Sequence, residues 1–164
     1  MEFVDLYDGD RNFTGKKIVR GEKYEEGLYK LSVHIWITNN EGKIYVQKRA
    51  ESRKMFPNYW ENPGGGVISG QDSETTLKRE FEEELGIPMS GKHELIKSIK
   101  RKKDFVDIYH LTQDFKIDEL HLQAEEVSEA RWVDINELND MVDKGLFCPT
   151  IMDSLVPFLE YINK

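Results

Sequence analysis

The sequence predicts a mixed α+β domain, and three observations carry that prediction. Leu31, Val33, Ile35 and Ile37 alternate with Ser32, His34, Trp36 and Thr38, a period of two in β-branched and aromatic residues that marks a strand. Leu77, Phe81 and Leu85 recur every fourth residue between a capping position at Asp72 or Ser73 and Gly86, which marks a helix. Further strand and helix patterns mix along the chain, so helices should pack on the faces of a largely antiparallel or mixed sheet. Pattern alone leaves the topology open.

In chain order, residues 1–30 read as an N-terminal arm or edge hairpin, with a strand at Phe3 to Tyr7 and glycines at Gly9, Gly15, Gly21 and Gly27. The turn Asn39-Asn40-Glu41-Gly42 joins the Leu31 strand to a second one at Lys43 to Arg49, predicting a hairpin. Ala50 to Asn62 has no period, and Pro57, Pro63 and Gly64-Gly65-Gly66 mark a loop whose backbone can approach a ligand closely. Beyond the helix, Gly86, Ile87 and Pro88 form a glycine stop. Strands at Glu94 to Lys100 and Phe105 to Thr112 flank the polar turn Arg101-Lys102-Lys103-Asp104, implying another hairpin. A strand at Ala130 to Val133 then leads to a helix from Asp134 to about Lys144, and the amphipathic stretch Thr150 to Ile162 closes the chain as a helix.

The length of 164 residues suits one domain spanning 1–164, with too little chain for a second core. No apolar stretch approaches the length of a bilayer span, so no membrane partner is expected. Met1 to Asp10 lacks the basic start and apolar run of a secretory signal, and the expected compartment is the cytoplasm. The single cysteine, Cys148, can form no internal disulfide and reads as a small buried hydrophobe. A net charge of −8 argues against polymeric nucleic acid as a partner. The same field repels a small phosphorylated substrate unless cations bound at an acidic cluster reverse its sign locally.

Such a cluster exists. At about 100° per residue, Glu80, Glu83 and Glu84 fall on one arc beside the buried stripe of the helix. Like charges three and four apart destabilise a helix by a few tenths of a kcal/mol per pair, and Glu82 adds a fourth negative charge. Read alone, the run is a solvated face paired with Lys78 and Arg79. The glycine-rich loop feeding straight into the helix favours a phosphate and metal site, because such loops offer backbone N–H groups and hard carboxylate oxygens suit Mg²⁺ or Mn²⁺.

Gly65, Gln71, Arg79, Glu80, Phe81, Glu83, Glu84, Gly86 and Ile87 keep an ungapped register over 23 residues, and that register is similar to the signature of the Nudix hydrolases. Two positions depart from it: Gln71 stands where the family has glutamate, and Phe81 is aromatic where the family prefers an aliphatic residue. Outside the signature, Asp5-Leu6-Tyr7-Asp8, Thr14-Gly15-Lys16, His34-Ile35-Trp36, Gln47-Lys48-Arg49, Phe56-Pro57-Asn58-Tyr59-Trp60 and Glu126 to Trp132 resemble the Nudix branch related to type I isopentenyl-diphosphate isomerase. The resemblance implies an α/β/α sandwich around a mixed sheet. It also implies Mg²⁺, with Mn²⁺ as a substitute, on Glu80, Glu83 and Glu84, with Arg79 orienting them by ion pairing. A later glutamate serves some members as ligand or base: Glu126 is the choice here, with Glu125 and Glu129 competing and a plain surface carboxylate an equal alternative. Arg49 and Lys54 resemble positions that face the substrate phosphates, beside Gly64 and Gly65, and the arm suggests a homodimer.

The expected function is therefore Mg²⁺-dependent cleavage of a diphosphate linkage in a nucleoside diphosphate derivative or related small diphosphate, with Glu83, Glu84, Glu126 and Arg79 as the catalytic set. Two alternatives stay open. Isopentenyl-diphosphate isomerisation requires a loop cysteine that Trp60-Glu61-Asn62-Pro63-Gly64 lacks. A non-catalytic nucleotide-binding module is the other, and Gln71 leans that way. His34, His93, His110 and His121 show no metal spacing and read as structural or exposed, and Lys100-Arg101-Lys102-Lys103 reads as a solvated basic turn.

Overall fold

The computed structural model describes residues 1–164. β1 (Phe3–Tyr7) and β2 (Phe13–Val19) pair antiparallel as the arm hairpin. The main sheet is built from β3 (Lys30–Thr38), β4 (Ile44–Arg49), β5 (Trp60–Glu61), β6 (Gly64–Gly66), β7 (Lys92–Lys100), β8 (Asp104–Thr112) and β9 (Val127–Val133). Three helices, α1 (Ser73–Leu85), α2 (Ile135–Asp143) and α3 (Met152–Ile162), complete the fold, with short 3₁₀ turns at Ile117–Glu119 and Pro149–Ile151.

Strand order is β5-β4-β3-β8-β7, with β6 added to β3 and β9 to β4. β3 and β8 run parallel in register from Lys30 opposite Asp104 to Thr38 opposite Thr112, and the other pairings are antiparallel. The sheet is therefore mixed. The alternation along β3 divides two cores rather than core from solvent, which is why both of its faces carry large apolar residues. Val33, Ile35 and Ile37 face Leu77, Phe81 and Leu85 of α1. Trp36 faces the opposite layer, where Leu138 and Met141 of α2 meet Leu155 and Phe158 of α3. Helices thus cover both faces, giving the α/β/α sandwich.

Local signals set the ends of α1. The Asp72 carboxylate accepts from the Thr75 N–H at 2.8 Å, which decides between the two capping positions. Gly86 takes φ 71° and returns its N–H to the Glu82 carbonyl. In the other layer the Trp36 indole stacks on Phe158 with centroids 4.5 Å apart and on Phe147 at 6.0 Å, while its Nε1–H donates to Ser154 Oγ.

Two expectations need correction. β3 and β4 were predicted as a hairpin, but they pair only at Thr38 and Ile44 and then diverge. The glycines Gly64–Gly66 take the edge of β3 from Ser32 to His34 instead, so part of the expected loop is a strand. A side chain at Gly64 would strike the Val33 carbonyl oxygen, so glycine is what lets the backbone lie there. The basic turn is also not simply solvated. Arg101 forms a bidentate pair with Asp104, 2.8 Å on each arm, and donates to the Thr150 carbonyl. Lys100 donates to the Gly9 carbonyl and Lys103 to that of Tyr24, tying the arm to the sheet. Arg11 adds a bidentate pair to Asp107 at 2.7 and 2.6 Å.

Phe158 is fully buried, so Phe158→Ala should lower the unfolding free energy in urea titration by about 3–5 kcal/mol.

Candidate functional site

Where β3 and β4 diverge the sheet opens into a cavity of about 310 Å³, the lower end of the range for small-molecule sites. Of its nineteen lining residues only Val33 and Ile151 are apolar, so it is built for a charged or strongly hydrated guest. Glu80, Glu83 and Glu84 of α1 form one wall, Gly64–Gly66 the floor, Glu61 and Arg49 the adjoining strand ends, and Glu126 with Arg53 the facing loops.

The helix geometry sorts the three glutamates. Glu80 and Glu84 lie four apart beside the apolar stripe and are buried, while Glu83 sits at the rim with its side chain 56% exposed. Arg79 pairs with Glu80 at 3.1 Å and with Glu83 at 3.7 Å. Its Nε–H donates to Gln71 Oε1 at 3.1 Å and its Nη2 to the Gly66 carbonyl, so Gln71 steers Arg79 as a neutral acceptor. Glu82 turns away and accepts the Met89 N–H.

The Glu84 carboxylate accepts from the Gly64 N–H at 3.0 Å and from Gln47 Nε2, which also reaches Glu61. Gly64 therefore spends its N–H on Glu84 rather than offering it to a phosphate, a change from the sequence expectation. The Glu80 carboxyl lies directly over Gly65, where any Cβ would collide with it. Burial pushes Glu80 up to about 7 against the pull of Arg79. Glu84 is pushed well above the carboxylate range by burial and then by the charges of Glu61 and Glu80. No basic side chain forms an ion pair with Glu84 or Glu126. A buried carboxylate in that condition is costly unless a proton or a cation neutralises it.

That donor set fits a hard divalent cation. Glu80, Glu83, Glu84 and Glu126 present oxygen ligands to one space, and Mg²⁺ typically takes only one or two carboxylates and completes its shell with water and phosphate oxygens. As they stand, no three acidic, cysteine or imidazole side chains are close enough together to hold a metal ion by themselves, so water and phosphate oxygens would have to supply most of its shell.

Other assignments shift. Arg49 lines the cavity, but its guanidinium is occupied by Glu61 at 2.8 Å and by the Met55 and Phe56 carbonyls, so it braces the 50–59 loop. Lys54 is exposed and stands outside the lining, whereas its neighbour Arg53 lines the cavity and donates to the Glu126 carbonyl. Among the later glutamates, Glu126 faces the cavity. Glu125 and Glu129 do not, and Arg131 engages Glu129. Sequence reasoning missed Glu61, Arg20, Arg53, Arg101 and Asn62. Glu61 carried a signal, a charge set directly before Asn62-Pro63-Gly64 on the loop that enters the site. Arg20 carried none, since only the fold brings the arm beside α1.

A family model described as the Nudix domain matches residues 28–148. The chain belongs to the Nudix hydrolase family. Among its relatives is an uncharacterised Nudix hydrolase of Listeria monocytogenes, 37% identical over 152 residues, covering 91% of this chain and 89% of that one. A crystal structure of a Deinococcus radiodurans protein shares this Nudix fold with a TM-score of 0.79 at 22% identity, covering 94% and 97% of the two chains. The Nudix domain of Shewanella oneidensis NrtR, solved with ADP ribose, aligns with a TM-score of 0.64 at 16% identity over 87% of this chain and 92% of that one.

The raised Glu80 pKa makes a prediction for the Nudix chain stripped of divalent ions. The folded state binds this proton up to about pH 7, whereas the unfolded group releases it near 4.5, so stability is full below pH 4.5 and falls as pH rises through 7. Melting curves in EDTA should show a loss of about 3 kcal/mol from Glu80 across that window, and Glu80→Gln should remove that share while leaving the part due to the raised Glu84.

Proposed function

We propose that this Nudix hydrolase cleaves the diphosphate linkage of a nucleoside diphosphate derivative or related small diphosphate with Mg²⁺ bound at Glu80, Glu83 and Glu84. The observation that carries the reading is Glu84, buried at the cavity wall, hydrogen-bonded to Gly64 and without a cationic partner. When bound, divalent ions supply neutralisation of the diphosphate and a more acidic attacking water.

The chain's own residues do the rest. Arg79, itself steered by Gln71, holds Glu80 and Glu83 toward the cavity. Gly65 leaves room for the Glu80 carboxyl, and Gln47 bridges Glu84 to Glu61. Glu126 takes the proton from the attacking water, being the later glutamate that reaches this space. Arg53 stands beside it as a donor to the phosphates, in the place the sequence suggested for Lys54. The same fold in the Shewanella Nudix domain holds ADP ribose, a small diphosphate. Isomerisation of a prenyl diphosphate is disfavoured on two counts. Cys148 is buried in the core beside Trp36 and Phe147 rather than in the cavity, and the cavity offers almost no apolar wall for a prenyl chain.

Phosphate products should be released from nucleoside diphosphate esters in Mg²⁺ and not in EDTA. Glu126→Gln should lower kcat by about 10²–10⁴-fold. Undiminished turnover in Glu83→Gln and Glu84→Gln would remove the assignment.

A further inference from the structure

Four arginines line the cavity, and they differ in what already holds them. Arg49 is taken up by Glu61 and by the Met55 and Phe56 carbonyls. Arg101 is held by Asp104, Asp153 and the Thr150 carbonyl. Arg53 donates to the Glu126 carbonyl at 3.5 Å, long for a hydrogen bond, and is the phosphate donor named above. Arg20, just past the end of the arm hairpin, meets one carboxylate, that of Glu2, at 3.1 Å.

That pair is weak by its setting. The two side chains are 51% and 49% exposed, and ion pairs screened by water contribute little to stability. A guanidinium carries five N–H donors in a fixed fork, and Glu2 accepts from only one of its nitrogens. The backbone beneath is fastened separately. The Arg20 N–H donates to the Glu2 carbonyl at 2.9 Å, and the Ser69 N–H to the Phe3 carbonyl at 2.8 Å. The side chain can therefore change partners without unpairing β1 from β2. Its surroundings show where it can go. Arg20 and Gly66 line both the main cavity and an adjoining recess of about 190 Å³, so the guanidinium stands at the divide between them. Its charge also reaches Glu80: burial raises that carboxyl first of all, and Arg20 is, after Arg79, the second cation that pulls it back.

We propose that Arg20 is a substrate-binding residue with a parking partner: Glu2 holds its guanidinium while no substrate is bound, and a phosphate of the diphosphate takes it over when substrate enters. A phosphate is the better acceptor, because it offers the fork a bidentate, more highly charged partner inside a cavity rather than in open solvent. Glu2 is then a competitor of the substrate, and the arm is part of the binding site rather than a brace beside it. The inference rests on the proposed function for its ligand, a diphosphate, and makes no demand on the groups that flank that diphosphate.

The test is equilibrium titration of the full chain in Mg²⁺ with methylenediphosphonate and α,β-methylene-ADP, whose P–C–P bridges resist hydrolysis. Arg20→Ala should weaken binding of at least one of them by about five- to thirtyfold, and Arg20→Lys should recover part of that. Glu2→Gln should tighten the same binding by about two- to fivefold, since it frees the guanidinium. The two effects should be coupled: in the Arg20→Ala chain, Glu2→Gln should leave binding unchanged. A brace gives the opposite sign, because loosening the arm would weaken binding in both single variants. Unchanged binding in an Arg20→Ala chain that still melts cooperatively overturns the proposal. So does a Glu2→Gln chain that binds no more tightly, or a Glu2→Gln gain that survives without Arg20 and therefore reflects only the lost negative charge. Should Arg20→Ala fail to fold, Arg20→Gln and Glu2→Gln decide the matter by the same signs. If neither analogue binds the unmodified chain, the proposal falls together with the diphosphate reading. If the analogues respond as expected and no nucleoside diphosphate ester is cleaved, the hydrolytic reading falls alone.

Discussion

Three glycines laid against β3 set the geometry on which the rest of the site depends. Because Gly64–Gly66 takes the edge that β4 would otherwise pair with, β3 and β4 part after one residue pair and the sheet opens. The same backbone gives the Gly64 N–H to Glu84 and leaves space over Gly65 for the Glu80 carboxyl. Side chains on this strand would clash with the Val33 carbonyl on one side and with Glu80 on the other. The missing Cβ atoms therefore do two jobs, separating the strands and letting α1 bring its acids down onto the floor.

The electrostatics follow from that close approach. Arg49 compensates Glu61 and Arg79 compensates Glu80 and Glu83, which leaves Glu84, also buried, facing Glu61 and Glu80 without a counter-charge. Stability alone would not retain such an arrangement, since apolar residues of similar volume would remove the repulsion. Gln71 fits the same pattern in a milder form. As a neutral acceptor it orients Arg79 without drawing off its charge, so more of the guanidinium field falls on Glu80 and Glu83 than a glutamate there would allow.

Much of this was legible in the sequence because it depends on local rules. Asp72 and Gly86 bracket α1, the Leu77-Phe81-Leu85 stripe places Glu80 and Glu84 beside the core, and the period of β3 marks it as a strand. Periodicity failed where a residue answers to a distant partner. Nothing in the turn Asn39 to Gly42 reveals that β3 prefers Gly64–Gly66 to β4. Nothing in Lys100 to Lys103 reveals carbonyls at Gly9, Tyr24 and Thr150. The Lys54 and Arg53 positions differ by one residue in an irregular loop, where no period assigns a face.

The parallel pairing of β3 with β8 has a consequence during biosynthesis. β3 ends at Thr38 and its partner begins at Asp104, so the first strand leaves the ribosome roughly 3–13 s before the second at about 5–20 residues per second. In that interval an apolar run on both faces of β3, with Trp36 among it, has no permanent neighbour on its parallel edge. Pairing over such a separation is also intrinsically slow, because loop closure precedes any gain from contact. The nascent chain therefore passes through a stage in which β3 can already meet Gly64–Gly66 and α1 while its parallel edge waits for β8, so the sheet cannot close before residue 112 has emerged.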